Sequence, residues 1–314
     1  MPAKILASTE NMSYADWLEH RRLGIGGSDA SIACGINRYK SPVELWMDKT
    51  GELPYQEAGE AAYWGTFLEP LVRAEFTKRT GIEVTHKNEL LQSEEYPFML
   101  ANLDGVCKVP DYGNCIFEAK TASAYKAGEW EDTIPEEYLL QVEHYLAVTG
   151  YAGTYIAVLI GGNTFKWKFI ERDEELISML IELEADFWNH VQARTPPPLD
   201  SSNATAKFLA ERFPNSKPKS KISLPASAAD LITQYDEACE QLKAITEKKQ
   251  LAENLLKEMM GDSEIGTVSD RIVTWKSVTQ ERFDSKTLKA EHPTLYKKYV
   301  NKTSHRRFSI KATE

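Results

Sequence analysis

The sequence predicts an α/β domain organised around a mixed sheet flanked by helices, with a helical and basic appendage at its C-terminal end. Through residues 1–200, helix-period and strand-like segments follow the order helices, strand meander, helix, hairpin, helix, which suits one sheet covered by helices. The run "TPPPLD" then breaks the periodicity, and a polar stretch continues through "NSKPKSKISLPAS". One long amphipathic run and a basic tail complete the chain. The expected division is a domain over 1–200, a linker over 201–226, and a long helix with a small basic α+β region over 227–314.

The elements follow in order. "NMSYADWLEHRRLGIGGSDASIACGI" reads as a helix, a turn at Gly24, Gly26 and Gly27, and a second helix with Ser28-Asp29 at the N-cap. "SPVELWMDKTG" is a short amphipathic helix capped by Ser41, opened by Pro42 and stopped at Gly51. "AAYWGTFLEPLVRAEFTKRTG" sets Trp64, Phe67, Leu68, Leu71, Val72 and Phe76 at helical spacing and ends on Gly81. Three strand-like runs follow, "EVTHKNELL", "FMLANLDGVCKV" and "CIFEAKTA", the last two joined by the hairpin signal "PDYGN". "IPEEYLLQVEHYLAVTG" is a helix stopped by Gly150, and the next hairpin turns at Gly161-Gly162-Asn163 before the helix "EELISMLIELEADFWNHVQAR". Trp130, Trp167 and Trp188 are expected in the core, and His144 and His190 as hydrogen-bonded helix histidines. In the last third, Leu231, Tyr235, Ala238, Leu242, Ile245, Leu251, Leu255 and Met259 mark one long amphipathic helix, too short and irregular for a coiled coil to be asserted. Strand-like "RIVTWKSVTQERF" and "SHRRFSIKA" flank a basic helix, "DSKTLKAEHPTLYKKYV".

Composition narrows the class. A hydrophobic fraction of 42% with 27% charged residues fits a folded globular chain and excludes a disordered one. There is no apolar run of ~20 residues to span a membrane, and the N-terminal stretch lacks the apolar centre of a signal peptide, so the expected location is cytoplasmic. Cys34, Cys107, Cys115 and Cys239 form no C-x-x-C pair, which argues against a zinc ribbon or an iron–sulfur cluster and for free thiols. The net charge of -10 speaks against a general nucleic-acid binder, yet Arg271 to Glu314 carries eleven Lys/Arg against four Asp/Glu, or +7. A basic tail on an acidic body suits a local contact with phosphate or with an acidic partner.

The chemistry concentrates in "NLDGVC" and "CIFEAK". Asp104 stands where a strand kinks at Gly105, and thirteen residues separate it from Glu118, enough for a strand, a turn and the return. Two such carboxylates can converge on a hard divalent cation, Mg²⁺ or Mn²⁺. Lys120 projects from the same strand face as Glu118, where it can orient a water or meet charge developing on a phosphate. The spacing alone also fits a surface salt bridge on an edge strand, but the apolar flanks read as core. Glu69 lies within an apolar stripe, and Gln141 in a similar setting in "QVEHYLAV". A helix-face carboxylate and a capping glutamine are the ordinary readings of these two.

"DWLEHRRLGIGGSDASIACGINRYKSPVELW", "WGTFLEPLV", "LDG", "FEAK" and "QVEHYL", in that order, resemble the YqaJ-type viral recombinase family, which is similar to phage lambda exonuclease within the PD-(D/E)XK nuclease superfamily. The likeness covers about residues 12 to 195 and stops short of the C-terminal third. It implies a restriction-endonuclease-like central sheet and a metal-dependent exonuclease acting 5′ to 3′ on linear duplex DNA. The product would be a 3′ single-stranded tail for a phage or prophage annealing protein. It implies that Asp104, Glu118 and the Ala119 carbonyl bind Mg²⁺ or Mn²⁺, two ions per site, that Lys120 activates or orients the attacking water, and that Glu69 and Gln141 help hold water or metal. It implies also a homo-oligomeric ring, often a trimer. The "R…GGSD" block of the family grips the terminal 5′-phosphate, which assigns Arg21, with Arg22 as its adjacent rival, and Ser28. Exposed backbone N–H groups, a hydroxyl and a helix start suit an anion there, though a plain helix cap fits the loop as well. The proline usual before the first aspartate is replaced by Leu103. Iron–sulfur relatives need clustered cysteines that this chain lacks, so no cluster is expected. A different nuclease activity of the same superfamily, or a module that binds DNA ends without cutting, remains the alternative. The basic tail is open to DNA contact, partner docking or a structural cap.

Overall fold

The computed structural model describes residues 3–53, 59–301 and 305–311. Along the chain, β1 (Ala3–Ser8), α1 (Tyr14–Arg21), β2 (Ile25–Gly26), α2 (Gly27–Ala33), α3 (Pro42–Lys49) and α4 (Glu60–Thr80) precede the strands. These are β3 (Val84–Thr85), β4 (Glu89–Ser93), β5 (Met99–Asn102), β6 (Gly105–Val109) and β7 (Gly113–Ala122). A 3₁₀ turn over Ala124–Trp130 leads to α5 (Glu136–Thr149), the hairpin β8 (Gly153–Ile160) and β9 (Thr164–Glu171), then α6 (Glu174–Gln192) and α7 (Asn203–Arg212). The chain divides into two compact units, Met1–Arg212 and Phe213–Glu314.

The first unit is the predicted α/β class. Its central sheet has the order β3-β6-β7-β8-β9, mixed because β7 and β8 are parallel while the other pairs are antiparallel. A second sheet has the order β1-β4-β5-β2. Strand β7 shows how the layers assemble. Its side chains alternate between faces, so Phe117 packs with Val72 and Phe76 of α4, while Ile116 packs with Leu146 of α5 and Met99. Phe76 and Phe117 lie 5.0 Å apart between ring centroids, and both are fully buried. Burying such a ring contributes about 2–3 kcal/mol. Glu118 and Lys120 share the Ile116 face, so the strand carries them toward α5.

Several expectations need correction. "FMLANLDGVCKV" is not one kinked strand but two, β5 and β6, in different sheets. The break falls at Leu103 and Asp104, and Gly105 follows because a Cβ there would lie 2.4 Å from Val84 Cγ1. "EVTHKNELL" likewise divides into β3 and β4. The N-cap of α2 is Gly26 rather than Ser28-Asp29; the Asp29 carboxylate reaches back to accept from the Gly26 N–H at 3.1 Å. In α4 only Val72 and Phe76 are buried, whereas Trp64, Phe67 and Leu71 are exposed. The helix has two apolar stripes, and only one meets the sheet. Trp167 lies on the edge strand β9 and is 40% exposed, while Trp130 is buried. Within the stretch expected as linker, α7 forms and buries Phe208 in a cluster with Trp46 and Phe187.

The second unit contains α8 (Ala228–Met260), the antiparallel hairpin β10 (Ile265–Val268) and β11 (Arg271–Thr274), α9 (Ser285–Glu291) and α10 (Pro293–Tyr299). The basic helix is broken in two because Pro293 cannot continue α9. No strand forms among the described residues of "SHRRFSIKA"; β11 pairs instead with β10, an element the sequence reading did not anticipate.

Candidate active site

The site exists because β6 is shorter than β7. Their pairing ends at Gly105 opposite Phe117, so the β7 edge is open from Glu118 onward. Asp104 fills the vacated ladder position: its Oδ2 accepts from the Ala119 N–H at 2.8 Å. The N–H and C=O of one strand residue point to the same edge, so the Ala119 carbonyl faces the same opening. Glu118 is 2% exposed, and its Oε1 accepts from Lys120 Nζ at 2.5 Å and from Gln141 Nε2 at 2.7 Å. Its Oε2 is buried with no hydrogen-bond partner among the described residues. An orphaned buried carboxylate oxygen is costly, which marks this atom as a place for a ligand. The Lys120 ammonium also stands 5.0 Å from the centroid of the Tyr138 ring.

Glu69 enters from α4. It lies one and two turns before Val72 and Phe76 on the buried stripe, at the point where that stripe runs past the sheet. Arg73 Nη2 is 3.6 Å and His86 Nδ1 3.9 Å from its Oε1. Arg73 Nη1 and His86 Nδ1 also meet the Asp104 carbonyl, each at 3.0 Å, and so brace the loop that presents the Asp104 carboxylate.

Three carboxylates thus share one partly dry pocket with one lysine. Burial, reinforced by the Asp104 charge, pushes the Glu118 carboxyl up to about 8 and that of Glu69 up to about 7. Burial raises Asp104 as well, against the pull of Lys120 and the Ala119 N–H. Burial works against the Lys120 ammonium, but Glu118 and Asp104 outweigh it and hold the ammonium above its ordinary range. Such mutual repulsion is what a divalent cation relieves. Among the described residues no group of three His, Cys, Asp or Glu side chains is already arranged to hold a metal ion. The donors that fit one are two carboxylates and a carbonyl, all hard oxygens: Asp104, Glu118 with its orphan Oε2, and Ala119.

A second cluster lies at the glycine turn. Arg21 Nη2 contacts Ser28 Oγ at 3.1 Å and Asp29 Oδ1 at 2.6 Å, and its guanidinium stacks 4.9 Å from the Trp17 ring centroid. Behind it, Asp29 Oδ2 accepts from Lys49 Nζ at 2.6 Å, and Lys49 also donates to the Arg21 carbonyl at 2.8 Å. Burial opposes the Asp29 charge, but Arg21 and Lys49 outweigh it and hold the carboxyl well below the usual range. A buried lysine and a half-buried arginine share one carboxylate, so an anion placed against Arg21 would meet excess positive charge. Arg22 turns away, its Nε donating to the Asp48 carbonyl at 3.1 Å. Gly27 has no room for a side chain, because a Cβ would lie 2.4 Å from the Tyr145 ring.

Both clusters line one cavity of about 490 Å³. Arg21, Ser28, Glu69, Asp104, Glu118, Ala119, Lys120 and Gln141, all candidates from the sequence, border it. Asp29, Lys49, Arg73, His86 and Tyr138 were missed. Lys49 left a signal: it shares a helix face with Leu45 and Trp46, where a charge needs a partner. Arg73 stands one turn after Glu69, while His86 left no local signal. His144 is satisfied as expected. It is fully buried, with Nδ1 2.8 Å from Glu184 Oε1 and Nε2 2.9 Å from the Leu100 carbonyl. It ties α5 to α6 and β5 one turn beyond Gln141. His190 Nδ1 lies 3.1 Å from the Thr195 carbonyl.

The model of the YqaJ-like viral recombinase domain matches residues 16–152, the stretch that carries both clusters. A Bacillus subtilis (strain 168) protein described as uncharacterized protein YqaJ is 44% identical over 314 residues, covering 98% of each chain. The chain belongs to the YqaJ-like viral recombinase family. Among solved structures it is similar to an alkaline exonuclease, LHK-Exo, from Laribacter hongkongensis, at 20% identity and a TM-score of 0.46, over 64% of this chain and 98% of that one. It is also similar to a phage-related exonuclease from Haemophilus somnus 129PT, at 13% identity and a TM-score of 0.43, over 57% and 99%. The YqaJ-like match ends near the start of β8, so the whole-length likeness to the Bacillus protein is what extends the family across α8 and the basic tail. Among the described residues no helix is long and apolar enough to cross a membrane.

Proposed function

We infer that this protein is a metal-dependent nuclease that degrades one strand of linear duplex DNA from a 5′ end, leaving a 3′ single-stranded tail for recombination. The observation that carries the reading is Glu118, a buried carboxylate with one oxygen unpartnered, beside Asp104 and Lys120 in the cavity that Arg21 and Ser28 also line. Asp104, Glu118 and the Ala119 carbonyl would hold Mg²⁺ or Mn²⁺, two ions per site. When bound, the metal supplies Lewis acidity and a water of lowered pKa. The chain does the rest. Gln141 donates to Glu118 Oε1, which leaves the other oxygen free for the metal. Lys120, tethered by Glu118 and Tyr138, presents an ammonium to the attacking water and to the scissile phosphate. Glu69, with its carboxyl pushed up to about 7, can hold or release a proton at the site. Arg21 and Ser28 seat the terminal phosphate, whose charge of about -1.5 to -2 suits that cation-rich corner better than an internal diester. The product tail would pass to a phage annealing protein, and a ring of copies would keep the enzyme on its DNA.

The test compares a linear 5′-phosphorylated duplex with its 5′-hydroxyl form and with closed circular DNA, each in Mg²⁺. Digestion of the first, slow digestion of the second and an intact circle are expected. Cutting of circles would make the protein an endonuclease, and tight end binding without cutting would make it a binding module; either result overturns the reading.

A further inference from the structure

The most conspicuous surface that this reading leaves unused is α8. The helix has 33 residues and not one is buried. Leu231 is 65% exposed, Leu242 65%, Ile245 66% and Met259 80%. Propensity alone does not sustain such a helix in water, and most helical stability comes from packing an apolar face.

A register emerges once Ala228, Lys249, Ala252 and Leu256 are counted. Spacings of three and four run through Ala228, Leu231, Tyr235, Ala238, Leu242, Ile245, then Lys249, Ala252, Leu256 and Met259. These are the a and d positions of an unbroken heptad along the whole helix, with one polar member, Lys249. Leu251 and Leu255, which make the apolar pattern irregular, fall outside the a and d positions. Phe308 meets this stripe edge-on at Tyr235, at 5.7 Å between ring centroids, and Tyr235 is still 44% exposed.

We propose that α8 is a self-association element whose seam closes against the same helix of a second copy, parallel and in register. The flanking positions identify the occupant. In a parallel pair each g residue meets the e residue five places on in the other strand. Those pairs are Gln234 with Cys239, Gln241 with Thr246, Lys248 with Glu253, and Leu255 with Met260. They are neutral, oppositely charged or apolar, and none is a like-charge pair. Glu253 holds Lys257 through Oε1 in its own chain, which leaves Oε2 for Lys248 of the second copy. Every other charged residue of the helix except Lys249 falls at b, c or f, away from the seam. Lys249 meets its own equivalent at one a layer, a device that sets register at some cost in stability. Flanking pairs this free of like charge when the helix is paired with itself fit a second copy of this chain. The assignment is independent of the nuclease reading.

The test uses the full chain and no activity. Analytical ultracentrifugation at tens of micromolar should give a mass at least twice the chain's 35.5 kDa. The double variant Leu242→Asp/Ile245→Asp should sediment at a lower mass than the wild type while the first unit's melting stays unchanged. In a Cys239→Ser background, Ile245→Cys should form a disulfide-linked dimer on mild oxidation. Glu247→Cys, at an outward f position, and the background itself should not. A monomeric wild type, a double variant with the wild-type mass, or cross-linking at Glu247→Cys as efficient as at Ile245→Cys would each overturn the proposal.

Discussion

Replacing Glu118 by Gln isolates the metal question from catalysis. The amide keeps the shape of the carboxylate and an oxygen that can accept from Lys120 and Gln141. It loses the buried charge and turns the orphan Oε2 into a poor ligand. A cation at about a hundred times its dissociation constant stabilises the folded state by about 2.7 kcal/mol. For a unit of the size of Met1–Arg212, each kcal/mol moves the melting temperature by about 2–4 °C. Saturating Mn²⁺ should therefore raise the wild-type melting temperature by about 5–11 °C over an EDTA control. Even outer-shell changes weaken metal binding by about 10–100-fold. At the upper end of that range, the same Mn²⁺ concentration leaves about 0.4 kcal/mol, a shift of about 1–2 °C. The EDTA-treated variant should melt no lower than the wild type, since burial already disfavours the Glu118 charge. Differential scanning fluorimetry reads all four states. A wild type indifferent to Mn²⁺, or a Glu118→Gln variant that keeps the full shift, would refute the ligand role.

Three further outcomes follow from the same geometry. Lys120→Ala should abolish cleavage while a gel shift shows DNA binding nearly intact; normal turnover would remove Lys120 from the mechanism. Lys49→Met removes the buried cation behind Asp29 but leaves Asp29 paired with Arg21, so the preference for phosphorylated over hydroxyl ends should fall about tenfold, or about 1.4 kcal/mol. An unchanged ratio would make Lys49 a purely structural residue. Glu143 is buried and accepts from the Asp173 N–H at 3.2 Å, and burial pushes its carboxyl up to about 7 from 4.5. The folded state thus binds this proton more tightly than the unfolded chain. Its penalty is absent below the unfolded value, grows as pH rises between the two values, and is complete above the folded one, on the order of 3 kcal/mol. Glu143→Gln should therefore melt above the wild type at pH 8 and level with it at pH 4; parallel profiles would contradict the assignment.

What was legible in the sequence is what chain-local geometry controls. Period-two alternation puts Glu118 and Lys120 on one face whatever surrounds them, and glycines at Gly81, Gly150, Gly161 and Gly162 end elements because each adopts a positive φ. The ordered motifs around Arg21, Glu69, Asp104, Glu118 and Gln141 were enough to name candidate residues that the fold brings to one cavity. Tertiary structure alone decided where charges would be dry and what would meet them. Lys49 finds Asp29 across 20 residues, Arg73 finds the Asp104 carbonyl across 31, and His144 finds Glu184 across 40. Helical periodicity marked Trp64 and Phe67 as confidently as Phe76, but only packing against Phe117 selects which stripe of α4 is core. The opening at Glu118 depends on β6 stopping at Gly105, opposite Phe117. Sequence spacing determines which side chains share a face; burial, and with it every shifted carboxylate at this site, depends on what the rest of the chain packs against that face.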